Sequence, residues 1–220
     1  MSRSTPKSFV LPVEAARLPE PVVALADLSD RLDLAAVFGR PGSVEVEVEV
    51  GFGKGRLLLE RAAAAPERLF LGIERAAPYL RLVRHRVLLA GLGNVRLLLA
   101  DAADAFHRLL PPRSLARVNV LFPDPWPKRR HHPRRLIQPP FLRDVAAALL
   151  PDGRLNIVTD HDDYWRWIER AAGQVDELIA ALETDLEPDV VLRTHFATKL
   201  AAAGAAFHHL TLRPRPAPPS

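Results

Sequence analysis

The sequence predicts an α/β fold, a mostly parallel sheet of seven strands with helices on both faces, and three observations predict it. Short apolar runs alternate with helix-like segments through five strand–helix units after residue 43, the pattern of a sheet wound by crossover connections. The first run passes into a glycine turn, Gly51-Phe52-Gly53-Lys54-Gly55, as the first, central strand of such a sheet does. Acids close the first four strands, at Glu49, Glu74, Asp101 and Asp124, and parallel strands deliver their ends to one edge.

Taken in order, residues 1–40 read as an N-terminal tail and lead-in helix. Ser, Pro and scattered charge fill the tail to about residue 20, and Gly39 and Pro41 stop any helix over 22–39. Residues 41–213 form the main domain. Its strands are expected at 44–50, 69–73, 95–99, 118–122 and 155–159. Its helices are expected at 53–64, 78–90, 102–110, 140–150 and 163–182. Two closing strands follow at 190–196 and 206–212, and the Pro-rich residues 214–220 read as a disordered end. One local signal disagrees. Val44-Glu45-Val46-Glu47-Val48-Glu49-Val50 alternates like a strand with one wet face, whereas a central parallel strand is apolar on both faces. The glycine turn that follows outweighs the alternation, so the strand is placed centrally and Glu47 is expected to need partners.

Composition narrows the function classes. The 220 residues include no cysteine, which removes disulfides and thiolate metal sites. Neither a membrane-length apolar run nor a signal-peptide core is visible, so the cytoplasm is the expected location. Net charge is +4, and only four of the 30 basic residues are lysine. An arginine-rich composition fits genome bias. Clustering is the stronger sign of a polyanion partner: Lys128-Arg129-Arg130-His131-His132-Pro133-Arg134-Arg135 holds five cations and two histidines within eight residues.

That arm follows Leu121-Phe122-Pro123-Asp124-Pro125-Trp126-Pro127. Proline restrains itself and the residue before it, so Asp124 sits in a turn with few conformations, beside an aromatic ring and a basic segment. The arrangement suits orientation of a base on a phosphate backbone. The glycine turn has three nucleotide readings. A P-loop needs Ser or Thr after its lysine, but Gly55 follows Lys54. The dinucleotide fingerprint needs glycine where Arg56 stands. The G-x-G-x-G turn of methyl-donor sites remains, beside a purely structural turn. Glu74 stands where a carboxylate accepts ribose hydroxyls, and Asp101 where it reaches an adenine amino group. A helix cap is the plain alternative for any one such acid.

With these motifs the chain resembles the bacterial tRNA (guanine-N7-)-methyltransferases. The resemblance rests on Glu49-Val-Gly-Phe-Gly-Lys-Gly55, Gly72-Ile-Glu74, Phe122-Pro-Asp-Pro-Trp-Pro-Lys128 with its basic tail, and Thr159-Asp160. It covers roughly residues 36–212. It implies a Rossmann-like class I methyltransferase fold with an antiparallel closing strand, S-adenosyl-L-methionine as methyl donor, and the variable-loop guanine of tRNA as acceptor. Glu49, Gly51, Gly53, Gly55, Glu74, Asp101 and Asp124 match the donor site, and Asp124 also matches the catalytic position. Lys128, Asp160 and Thr194 match substrate positions; Arg130, His131, His132, Arg134 and Arg135 fall in an RNA-contact segment. A C-terminal T-K-[FY]-E motif departs here to Thr194-His195-Phe196-Ala197, which puts one substrate contact in doubt.

The implied chemistry needs no strong base, because guanine N7 carries an in-plane lone pair. Alignment and exclusion of water do the work, and Asp124 orients guanine through its N–H edge. Trp126 either stacks on a base or packs beneath the turn. No metal is expected: His131 and His132 read as facing solvent or RNA, and Asp160-His161-Asp162-Asp163 as a helix cap. The expected partner is tRNA, with no membrane, and the chain a monomer or homodimer. Two alternatives stand beside this reading: a methyltransferase for another RNA position or a small molecule, and a tRNA-binding or chaperone protein whose catalysis has decayed.

Overall fold

The structure is a computed structural model, and it describes residues 19–23, 31–181 and 207–216. A short helix, α1 (Leu34–Phe38), precedes β1 (Val46–Val50), α2 (Arg56–Ala64), β2 (Leu69–Glu74), α3 (Ala77–Leu89) and β3 (Val95–Leu99). Then come α4 (Ala102–Asp104), running into a π turn (Ala105–Leu109), and β4 (Leu115–Leu121). A 3-10 helix (Arg129–Arg134) leads to α5 (Pro139–Ala148), β5 (Leu149–Thr159), α6 (Asp162–Ala172), β6 (Leu178–Ala180) and β7 (His208–Pro214).

Among the described residues seven strands lie in the order β3-β2-β1-β4-β5-β7-β6. The first five are mutually parallel, and β7 runs antiparallel to both β5 and β6. This is the mostly parallel, doubly covered sheet with an antiparallel closing strand that the sequence predicts. Its strand order reverses between β1 and β4, where crossovers leave in opposite directions and open a crevice at the carboxyl ends.

Local chemistry accounts for the helices. Pro139 and Pro140 start α5, where a missing N–H costs nothing. Asp162 and Asp163 open α6 and Arg170 ends it, complementing the helix dipole. One apolar layer joins Phe38, Phe106, Phe141 and Ile168 to Val48, Val120 and Ile157 of the sheet. The other joins Leu58 and Ala62 of α2 and Val83 and Val87 of α3 to Phe70 and Leu97.

Strand β1 is central and buried throughout. The expected partners of Glu47 are present. Its carboxylate accepts Arg61 Nε at 2.5 Å and Nη2 at 2.8 Å, Arg117 Nη1 at 3.0 Å and Asn119 Nδ2 at 3.0 Å. The polar line continues across the sheet, from Asn156 Nδ2 to Asn119 Oδ1 and from Thr211 Oγ1 to Asn156 Oδ1.

Two expectations are corrected. The helix placed over 163–182 ends at Ala172; Gly173 caps it and Leu178–Ala180 is a strand paired with β7. Of the helix placed over 22–39, Leu34–Phe38 is helical and Val22 instead bridges to Leu97 of β3, while residues 24–30 lie outside the described residues. The strand expected at 190–196 lies outside the described residues.

Candidate active site

The parallel order sets the carboxyl ends of β3, β2, β1, β4 and β5 side by side. Asp101, Glu74, Glu49, Asp124 and Asp160 therefore line one edge. Gly51, Gly53 and Gly55 all have positive φ, at 69°, 50° and 68°. A side chain at Gly51 or Gly53 would meet nothing within 4 Å, so bare backbone faces open space there. Gly72 serves a close approach: a Cβ would lie 2.6 Å from Phe52 Cδ1. Phe52 thus seats the glycine turn directly on the backbone of β2.

The acids differ in what they do. Glu74 is buried and ties two loops together: Gly53 N–H donates to Oε2 at 3.1 Å and Ala76 N–H to Oε1 at 2.9 Å. A carboxylate offers about four acceptor positions, so these bonds leave capacity for ligand hydroxyls. Asp101 is exposed and caps α4, its Oδ1 accepting Ala103 N–H at 2.9 Å. Glu49 is buried, and burial pushes its carboxyl up to about 8, with the charge of Glu47 adding to the effect and Arg61 opposing it.

Asp124 stands exposed on the loop after β4. Arg75, the residue after Glu74, reaches it at 3.3 Å across the end of β1. Two non-glycine residues flanking it, Phe122 at φ 52° and Trp126 at φ 44°, adopt the left-handed region, where strain persists only if the surroundings over-determine it. The surroundings do. Phe122 N–H donates to Val158 O at 2.8 Å, its ring meets Phe207 edge-on, and Arg134 covers the Trp126 ring at 5.0 Å.

The basic arm is not uniform. Lys128, Arg129, Arg130 and Arg134 are exposed. His131 sits edge-on to Trp126 and His132 edge-on to Trp167, so both histidines pack on rings instead of standing free in solvent. Arg135 has a fully buried side chain, which removes it from the surface that a phosphate would meet. Asp160 is half-buried at the end of β5. Thr194 lies outside the described residues, as do His195 and Ala197. Among the described residues no group of three His, Asp or Glu side chains is placed to hold a metal ion, and no helix is long and apolar enough to cross a membrane.

Sequence reasoning missed Arg75 and a second cluster at this edge. His208 Nε2 lies 2.7 Å from Asp162 Oδ1 and its ring stacks on Trp165 at 5.0 Å. That hydrogen bond is the main cause holding the Asp162 carboxyl below its usual range. No sequence signal pairs residues 46 apart; the antiparallel return of β7 brings them together.

A family model described as "Putative methyltransferase" matches residues 43–210. The tRNA (guanine-N(7)-)-methyltransferase of Alkalilimnicola ehrlichii is 46% identical over 156 residues, 71% of this chain and 62% of that relative. The protein of the same name from Nitrosococcus oceani is 45% identical over 143 residues, covering 65% and 60%. The one from Thermus thermophilus is 40% identical over 186 residues, covering 83% and 58%. The chain thus matches about three fifths of the length of these relatives. Among solved structures, the 16S rRNA methyltransferase KamB is similar at TM-score 0.62 and 20% identity, covering 85% of this chain and 95% of that one. TrmN from Thermus thermophilus is similar at TM-score 0.56 and 20% identity, covering 83% and 47%. At these identities the likeness concerns the fold.

Proposed function

The chain belongs to the methyltransferase family whose model spans residues 43–210, and on that premise we propose that it transfers a methyl group from S-adenosyl-L-methionine to N7 of the variable-loop guanine of tRNA. The observation that carries the reading is the meeting of the glycine turn and its acids with the Phe122–Lys128 turn at the point where the strand order reverses. The names borne by relatives 40–47% identical support the choice of tRNA and guanine N7. Residues 41–213 constitute the methyltransferase domain, acting in the cytoplasm as monomer or homodimer.

The residues present fit the donor. Gly51 and Gly53 present bare backbone to open space, Glu74 retains acceptor capacity for a ribose, and the buried Glu49 favours a cation nearby. S-adenosyl-L-methionine, when bound, supplies an electrophilic methyl group on a sulfonium. Burial favours the neutral form of Glu49 in the free protein, and a positive group settling beside it favours the carboxylate. Glu74 keeps the glycine turn in register with β2 while accepting the ribose. Asp101 presents its carboxylate toward the adenine amino group.

On the acceptor side, Asp124 turns from Arg75 to the guanine N–H edge, orienting the ring so that the N7 lone pair faces the methyl carbon. Its negative charge also favours the cationic purine that forms. Lys128, Arg130 and Arg134 hold phosphates, and Asp160 and Thr194 complete the substrate side. The test is incubation of unmodified tRNA transcripts with donor, followed by nucleotide mapping. N7-methylguanine in the variable loop is the expected product; methylation at another position, or donor binding without transfer, would replace this reading.

A further inference from the structure

Arg135 lies in the basic arm by sequence but not by surroundings. Its side chain is 0% exposed. Nε donates to the Pro125 carbonyl at 2.9 Å, and Nη2 pairs with Asp163 Oδ2 at 2.5 Å. The guanidinium lies 4.9 Å from the Tyr164 ring centre and 5.2 Å from that of Trp167. Tyr164 and Trp167 are themselves held, the hydroxyl of Tyr164 accepting Ile137 N–H at 3.1 Å and Trp167 Nε1 donating to Ile137 O at 2.7 Å. One face of α6 therefore clamps the end of the arm.

Burying a guanidinium is costly, and its partner Asp163 is 44% exposed, so their ion pair is a poor source of net stability. Residues 128–135 hold other arginines at the surface, so the composition does not force this one inside. What the burial achieves is a bond to the carbonyl between Asp124 and Trp126. Trp126 sits in the left-handed region at φ 44°, a conformation that needs external restraint. A planar fork with donors in fixed directions can bind that carbonyl and a carboxylate together; a lysine ammonium cannot reproduce it.

We propose that Arg135 is a positioning residue for methyl transfer, which through the Pro125 carbonyl holds the turn carrying Asp124 and Trp126, and that it makes no contact with RNA phosphate. The proposal rests on the methyl-transfer reading above and gives Arg135 a different task from its exposed neighbours Arg130 and Arg134.

The experiment compares wild type, Arg135→Lys and Asp163→Asn. Each is measured for kcat and KM on tRNA transcript, for tRNA affinity across a salt series, and by fluorine NMR after 5-fluorotryptophan labelling. The three tryptophans are Trp126, Trp165 and Trp167, and a Trp126→Phe control assigns the Trp126 signal. Arg135→Lys is expected to lower kcat about 100-fold, the size of loss that a misplacement of about 1 Å produces, with the salt slope unchanged and the Trp126 signal shifted or broadened. Asp163→Asn, which keeps the shape of the clamp but weakens it, should lower kcat by a smaller factor in the same way. A salt slope reduced by about one, with kcat unchanged, would make Arg135 a phosphate ligand and overturn the proposal. So would full kcat in either folded variant. If Arg135→Lys fails to fold, Asp163→Asn decides. Should wild type methylate no tRNA, the tRNA reading fails, and the Trp126 signal alone then judges Arg135: an unmoved signal in both variants overturns it.

Discussion

Glu47 and Glu49 stand two residues apart on the same face of one buried strand, yet their surroundings part them. Glu47 has two guanidiniums and an amide around it. Glu49 faces burial and the charge of Glu47, and its carboxyl rises to about 8 from an ordinary value of 4.5. A raised carboxyl means that the native state keeps a proton the unfolded chain has released. The stability tied to that proton is fully present below about 4.5 and is lost as pH rises to about 8, beyond which both states are ionised. Urea melts from about pH 4.5 to about pH 9 should show this decline in wild type and its absence in Glu49→Gln; parallel pH curves would assign the decline to other groups. Asp124 has the opposite character, exposed and paired with Arg75 at the surface. Asp124→Ala should therefore leave the melting temperature within a few degrees and cut methyl transfer about 100-fold or more, read by single-turnover assay. Activity close to that of wild type would remove Asp124 from the mechanism.

Elements set these residues in place. β1 carries alternating glutamates through the middle of the sheet because α2 offers Arg61 and β4 offers Arg117 and Asn119 to Glu47. Glu47→Ala removes the carboxylate that both arginines face; the expected cost is about 3 kcal/mol of unfolding free energy, as for breaking a buried pair from one side. Urea denaturation measures it, and a loss below about 1 kcal/mol would show that the arginines find other acceptors. α6 was legible as a helix but not in length. Its amphipathic run continues past Gly173 into Leu178-Ile179-Ala180, a short apolar stretch that helix and strand periodicities both accommodate. β7 lies alongside to complete its hydrogen bonds, and that partner is far away along the chain. The same helix positions Asp163, Tyr164 and Trp167 around Arg135. From sequence that set reads only as a cap followed by aromatic packing.

At the scale of the molecule, a positive arm stands beside an acidic crevice. Affinity for tRNA should come from Lys128, Arg129, Arg130 and Arg134, the exposed part of the arm. Neutralising them should lower the slope of log affinity against log salt by about one for every phosphate that is released, while donor affinity in calorimetry stays the same. An unchanged slope in the fourfold variant would mean that tRNA docks elsewhere. The fold-level reading succeeded because its signals are local and repeated: five alternations, one glycine turn, and acids at strand ends. The lead-in helix departs from expectation at Val22, which the edge of β3 recruits, a pairing that composition does not announce.

The alternation of strands and helices, the crevice and the acids that line it were determined by the sequence alone. Crossover connections have one preferred hand, and the glycine turn and the Pro123-Asp124-Pro125 restraint act over a few residues. Only the tertiary structure decided the upward shift of the Glu49 carboxyl, the pairing of Arg75 with Asp124, and the withdrawal of Arg135 from the basic arm. Each of these depends on desolvation or on partners distant in sequence, and both are properties of packing. Five cations look alike along the chain; burial against Tyr164 and Trp167 makes one of them different.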